Sequence, residues 1–171
     1  HPAADGTGAV VIAHRLKVTL DRPLTIRLHA SADERYELFL DGQRIGRGPE
    51  RGDRQNWFFE TSDLDLAAGP HTFVAKTWWL GKFGPAPFAQ ISVRPAFVLA
   101  VEGEHGGLFN TGVAEWDVKL LGGYKIVPPG VTWGAGSKVH LVGKAFVWGY
   151  ELGQGDGWVA AHGIDWAHDS I

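Results

Sequence analysis

The sequence predicts an all-β chain folded as an antiparallel β-sandwich or jelly roll. Three observations carry that expectation. Successive short runs alternate apolar and polar residues with the two-residue period of a half-buried strand. Gly, Pro and Asp turn signals recur about every 8–12 residues. No amphipathic run reaches helical length, so the crossover helices that a parallel sheet needs are missing.

Taken in order, Leu16, Val18 and Leu20 alternate with Arg15, Lys17 and Thr19, and Leu24, Ile26, Leu28 and Ala30 alternate with Thr25, Arg27 and His29 behind Pro23. Tyr36 to Leu40 runs into Asp41-Gly42 and on to Gln43–Gly46, a hairpin whose two turn residues tolerate positive φ. A Gly/Pro/charge-rich loop over 46–53 precedes an aromatic strand, Trp57 to Thr61, and Ser62 to Pro70 reads as a turn region. His71 to Trp79 is the next strand. Its Lys76 marks the Thr72/Val74/Lys76/Trp78 face as the wetter one, so Trp78 is expected to be more exposed than Trp79. An extended segment from Ala89 to Glu102 is interrupted at Pro95, a one-sided strand spans 115–120, and shorter candidates lie at 139–142 and 146–150.

The 171 residues fit a single sandwich domain, with residues 103–138 as a Gly-rich, less regular excursion. With 44% hydrophobic and 20% charged residues the chain can bury a core. The absence of Met, an initiator included, reads as a processed mature form or a fragment cut from a longer polypeptide, with the fragment favoured. No stretch approaches the ~18 apolar residues of a spanning helix, so a membrane is not an expected partner. A net charge of −3 with no long Lys/Arg cluster argues against nucleic acid. Having no cysteine removes disulfides, thiolate zinc sites and thiol catalysis together.

A complete active site is not legible. Glu115 and Asp117 share one strand face, a spacing that glycoside hydrolysis could use with carboxyls ~5–10 Å apart, but the solvent side of a strand explains them equally well. Glu102 and Glu104 fare no better, and no serine sits in a nucleophile elbow. His162 and His168 with Asp165 and Asp169 form the one dense His/Asp cluster; without a ligand spacing it reads as solvated surface, and a metal is left unassigned. The glycine-rich stretches 6–8 and 153–157 do not sit between a strand and a helix, as a phosphate cradle requires.

The aromatics say more. An indole held on a rigid sheet can stack on the C–H face of a sugar while neighbouring charged groups bond its hydroxyls. Trp57 and Trp78, beside the loop that carries Arg47, Glu50, Arg51 and Asp53, supply that combination. The plain reading of any one Trp is packing, but eight of them exceed what a core of this size needs.

The stretch Ala32-Asp33-Glu34-Arg35-Tyr36-Glu37-Leu38-Phe39-Leu40-Asp41-Gly42-Gln43-Arg44-Ile45-Gly46-Arg47-Gly48-Pro49 resembles the A-D-x-x-Y-x-L-x-[VL]-[ND]-G-x-x-[VI]-G-x-G-P segment of galactose-binding-like β-sandwich domains. The nearest variant stands at the N-terminus of bacterial α-L-rhamnosidases and related multidomain glycoside hydrolases. Arg51-x-Asp53, Trp57 to Glu60, Asp63-Leu64 and the Gly69-Pro70-His71 turn continue the likeness over 24–102. Arg94 to Leu99, Thr111-Gly112 with Trp116, and Trp148-Gly149-Tyr150-Glu151 extend it more loosely. Asp41 stands where Asn is commoner, and Pro70-His71 replaces the usual ending of that turn.

The resemblance implies a non-catalytic, carbohydrate-associated accessory sandwich, with catalysis in a separate helical (α/α)₆ barrel of the same polypeptide. The chain alone is then no enzyme. The expected partners are a rhamnose- or galactose-containing glycan and that catalytic domain, the expected home is periplasmic or secreted, and a structural calcium is the one cofactor the likeness allows. On this reading Trp57 and Trp78 stack, while Arg47, Glu50, Arg51 and Asp53 make polar contacts. The alternative is a sandwich that braces a catalytic domain and has no ligand of its own.

Overall fold

The computed structural model describes residues 8–50, 52, 57–81, 94–127 and 138–163. Its strands are β1 (Val10–Leu20), β2 (Leu24–Ala32), β3 (Arg35–Leu40), β4 (Gln43–Gly48), β5 (Glu60–Leu66), β6 (Gly69–Trp79), β7 (Phe97–Val101), β8 (Asp117–Leu120), β9 (Tyr124–Val127), β10 (Lys138–Leu141) and β11 (Val159–Ala160), with one short helix, α1 (Gly106–Phe109). They form a six-stranded sheet in the order β11-β8-β1-β6-β3-β4, a three-stranded sheet β5-β2-β7 and a β10-β9 ribbon. The pairings are antiparallel, so the fold is the all-β sandwich that the alternation predicts.

The two larger sheets close on one core. Leu16, Val18 and Leu20 of β1, Ile26, Leu28 and Ala30 of β2, Tyr36 and Leu38 of β3, Phe73 and Ala75 of β6, and Leu99 and Val101 of β7 are buried together. Each large side chain withdrawn from water contributes about 1.5–3 kcal/mol, which is what holds the layers face to face. Phe109 of α1 and Trp116 plug the same core, so this part of the 103–138 stretch packs with the sandwich, and β8 joins the larger sheet. Among the described residues of that stretch, β9 pairs outside the two larger sheets, with β10. His14 sits inside, its ring 5.4 Å from Phe97 and its Nε2 3.1 Å from the Thr77 hydroxyl. Burial lowers its pKa to about 3, so the imidazole is neutral at pH 7.

The Asp41-Gly42 hairpin forms as expected, with φ of 49° and 82°. His71 clamps it: Nδ1 lies 2.8 Å from Asp41 Oδ2 and Nε2 2.9 Å from the Ala67 carbonyl, while Asp41 Oδ1 accepts from the Thr72 amide.

Two local expectations need correction. The strand expected at 57–61 begins at Glu60 and runs through the supposed turn to Leu66. There Leu64 and Leu66 turn inward, while Asp63 and Asp65 are held outward by Arg27 and Thr25 of β2, a partnership that Ser/Asp-rich composition hides. Residues 146–150 are turns rather than a strand, because Gly149 takes a positive φ of 73°. The Lys76 face of β6 is the wetter one, as expected, with Trp78 half-buried and Trp79 buried, although Leu121, Tyr124, Phe146, Val147, Tyr150 and Trp158 fold back over part of it. Of the expected 89–102 segment, 97–101 is strand and 89–93 lie outside the described residues.

Candidate functional site

Strand alternation places two sets of side chains on the outer face of the six-stranded sheet. The first row across it is Val11, Trp78 and Arg35; the second is Ala13, Lys76, Glu37 and Arg47. Lys76 and Glu37 form an ion pair, and Glu37 Oε1 also accepts from Arg44 at 3.0 Å. Burial opposes ionisation of Glu37, but the hydrogen bonds and charges of Lys76 and Arg44 outweigh it and hold the carboxyl below its ordinary range. With both oxygens engaged, Glu37 is suited to fixing Lys76 in place and unsuited to donating a proton.

Over this pair lies the C-terminal cover. Val11, Ala13, Val74, Leu121 and Tyr150 are buried there, with Phe39, Trp78, Tyr124, Phe146, Val147 and Trp158 packed against them. Tyr150 meets Phe39 edge-on at 6.0 Å, and Lys76 Nζ lies 6.0 Å from the Tyr150 ring. Burial pushes up the pKa of both Tyr124 and Tyr150, whose hydroxyls hydrogen-bond to each other, so both are protonated at neutral pH. Phe146 lies against Tyr124 at 5.4 Å and against Trp148 at 4.7 Å. Trp148 itself is 77% exposed.

Backbone conformation and Arg15 fix the cover. The Arg15 guanidinium bonds Asp117 at 2.6 Å and the Gly153 carbonyl at 2.8 Å, and lies 4.2 Å from the centre of the Trp158 ring. Gly153 has φ of 68°, and a Cβ there would come within 2.8 Å of Arg15 Cδ and 2.9 Å of Thr72 Cγ2. Only glycine lets the chain descend so close to the sheet.

The structure distributes the expected site residues over three places. Trp78 and Arg47 share the outer face just described, one row apart, with Trp78 half-buried and Arg47 exposed. Trp57 is on the opposite side of the sandwich: its Nε1 donates to Ser31 Oγ at 3.0 Å, and Ser31 is an outward residue of β2. Trp57 and Trp78 therefore do not form one stacking cleft. Glu50 is exposed just past β4, its amide donating to Glu60 Oε1. Arg51 and Asp53 lie outside the described residues, as do His168, Asp165 and Asp169. Asp117, one of the two carboxylates weighed for hydrolysis, is taken up by Arg15, and Glu115 precedes the strand rather than sharing its face. Among the described residues no group of three His, Asp or Glu could hold a metal.

The outer face of the three-stranded sheet differs. Thr25 bonds Asp65 at 2.6 Å, Arg27 bonds Asp63 at 2.7 and 2.8 Å, and His29 bridges Thr61 and Glu102 at 2.9 and 3.0 Å. Phe59, exposed, meets the His29 ring edge-on at 5.1 Å.

Sequence reasoning passed over Trp148, Tyr124 and Tyr150 as site residues. A signal was present in Trp148-Gly149-Tyr150, an exposed aromatic beside a turn glycine, but nothing local says which sheet face it meets. The arrangement offers the exposed indole of Trp148 and the exposed guanidinium groups of Arg44 and Arg47, while the Tyr150 hydroxyl and the Lys76 ammonium are largely covered and already engaged. That chemistry can stack on a pyranose and bond its hydroxyls.

No protein-family model matches the sequence, and no curated protein matches it. Among solved structures, the chain is similar to the crystal structure of a GH78 family rhamnosidase of Bacillus sp. GL1, with a TM-score of 0.70 and 22% sequence identity. The match takes in 94% of this chain and 17% of that one, so the chain corresponds in fold to a small part of that enzyme.

Proposed function

We propose that the chain is a non-catalytic, carbohydrate-binding accessory module of an α-L-rhamnosidase-like glycoside hydrolase, with catalysis in another domain of the same polypeptide. The sugar docks on the outer face of the six-stranded sheet. The observation that carries this reading is Trp148, an indole left 77% exposed and packed on Phe146, which in turn lies against Tyr124 and Tyr150. The fold it shares with a small part of a rhamnosidase supports the same reading. A periplasmic or secreted home and a structural calcium belong to the proposal as well.

Isothermal titration with L-rhamnose, galactose and rhamnose-containing oligosaccharides, run with calcium and with EDTA, tests it. Saturable heat is expected, weakened about tenfold or more in Trp148→Ala with the melting temperature unchanged. Trp148 is the better probe than Trp78, whose half-buried ring also packs the cover. The second reading, a brace for a catalytic domain, is favoured by Val127, Val139, Leu141 and Val142, exposed on and beside the β9–β10 ribbon as interface residues are. Silence with every sugar would select it.

A further inference from the structure

We infer that this outer face is selective for an acidic glycan, one that stacks a sugar ring on Trp148 and presents a uronate carboxylate to the cationic strands of the sheet. The inference rests on the carbohydrate-binding reading above and adds the charge of the ligand. The outward positions of β6, β3 and β4 hold four cations, Lys76, Arg35, Arg44 and Arg47, against one acid, Glu37. Glu37 is already spent on Lys76 and Arg44. Arg35 is turned to the Pro49 carbonyl. Arg47 stands directly across from Glu37 on the edge strand, exposed, and makes no side-chain hydrogen bond or ion pair with the other described residues.

The cover does not cancel this surplus, since over 121–158 it has three lysines against two acids, Glu151 and Asp156. Residues 121–150 contain three lysines, Lys125, Lys138 and Lys144, and no Asp or Glu, in a chain whose net charge is −3. The nearest acid beyond it, Glu151, follows Tyr150 and acts on the two tyrosines. The opposite outer face has the reverse balance, with Asp63, Asp65 and Glu102 around Arg27 and His29. The chain's positive charge is thus gathered on the face that also carries the exposed indole. A planar guanidinium free to fork onto a carboxylate, on the same face as an exposed indole, favours a glycan that carries a uronate over a neutral one. Ring contacts from Trp148 to Phe146, and from Phe146 to Tyr150 and on to Phe39, seat the indole on the cover over the same sheet face that carries Arg44 and Arg47.

The test is affinity electrophoresis and calorimetry of the 171-residue chain with polygalacturonate, the same polymer after reduction of its carboxyls, neutral galactan, and dextran sulfate. The expected result is binding to polygalacturonate that falls as salt rises, is at least about tenfold weaker for the carboxyl-reduced polymer, and drops by about the same factor in Arg47→Ala and in Trp148→Ala. Both residues are exposed, and circular dichroism confirms the fold of each variant. Equal binding of the acidic and reduced polymers, lost in Trp148→Ala alone, overturns the acidic preference and leaves the carbohydrate reading standing. Dextran sulfate binding as tightly as polygalacturonate, unaffected by Trp148→Ala, overturns it in favour of indiscriminate attraction to polyanions. No binding of any glycan overturns both readings.

Discussion

On the outer face of β5-β2-β7 the side chains of Thr25, Arg27 and His29 in β2 each find a partner on β5, whereas the outer face of the six-stranded sheet is covered by residues that follow β8 in the chain. The first arrangement is local and two-dimensional: Thr25 with Asp65, Arg27 with Asp63, and His29 with Thr61 and Glu102 all pair across adjacent strands. The second is layered. Lys76 and Glu37 are 15% and 19% exposed because Tyr150, Tyr124 and Phe146 lie near or over them. A sheet face that is self-paired needs nothing further, while one that presents Val74, Phe39 and Trp78 must be covered, and the cover brings new groups into play. The difference teaches where a binding surface arises in this fold: at the margin of an added layer, where Trp148 emerges.

If that contrast is real, the faces differ most in what a single truncation costs. Tyr150→Ala removes a buried ring that touches Phe39 and Phe146 and spans the Lys76 pair. The expected loss is about 3–4 kcal/mol in denaturant unfolding, with enhanced dye binding as the cover loosens. Tyr150→Phe, which deletes only the hydroxyl bonded to Tyr124, should cost about 1 kcal/mol. Equal effects of the two substitutions would mean that the hydroxyl, and not the ring, holds the layer.

The next effect separates a paired charge under a cover from one in the open. Glu37→Gln leaves Lys76 and Arg44 without their shared carboxylate on a partly covered surface. After allowance for solvent screening, a loss on the order of 1–2 kcal/mol at pH 7 is expected, measured by urea denaturation. Lys76→Met should restore part of it in the double variant, because the orphaned ammonium is then gone. Additive losses would show that the two groups do not act as a pair.

Much of this was legible in the sequence, and the part that was not has a physical cause. The alternation of Leu16 to Leu20, Leu24 to Ala30 and Tyr36 to Leu40 states directly which side chains enter the core, since a strand's period is fixed at two. Asp41-Gly42 announces its own turn. β5 was hidden because its outward Ser and Asp residues look like a loop until Arg27 and Thr25 are set beside them, forty residues or fewer away in the chain. The site was half legible. Trp78 and Arg47 do share a face, but Trp57 belongs to the other one, and no local pattern tells which side of the sandwich a loop tryptophan reaches. Trp148 owes its place to the fold-back of the cover, which is governed by Arg15 and Gly153 at a separation of 138 residues.

His71 links the two sheets at one end of the sandwich and gives a smaller effect with a definite sign. Its ring is bonded by the Ala67 carbonyl, in the turn that leaves β5, and by Asp41, in the β3–β4 turn; both raise its pKa above the usual 6.5. A group whose folded pKa is raised contributes stability that is fully present below the unfolded pKa and is lost as pH rises through the folded value. Stability should therefore fall by about 1 kcal/mol or less as pH rises above ~6.5, and His71→Asn should flatten that slope. A slope unchanged in the variant would remove His71 from the account and leave the two sheets uncoupled at that end of the sandwich.

The smallest expected effect is on the self-paired face, and it tests the comparison from the other side. Arg27 and Asp63 make two hydrogen bonds at 2.7 and 2.8 Å, with side chains 52% and 60% exposed. Their geometry is as good as any in the molecule, yet water competes for both groups and salt screens them. Arg27→Ala, Asp63→Ala and the double variant should all unfold at a denaturant midpoint indistinguishable from that of the parent chain. The bond between them raises the pKa of Arg27 and lowers that of Asp63, but that mutual preference is exercised only between groups that water would solvate equally well. A clear coupling in this double-mutant cycle would show that the ladder from Thr25 to His29 acts as one cooperative network, and that the open face, too, is built to hold a fixed shape.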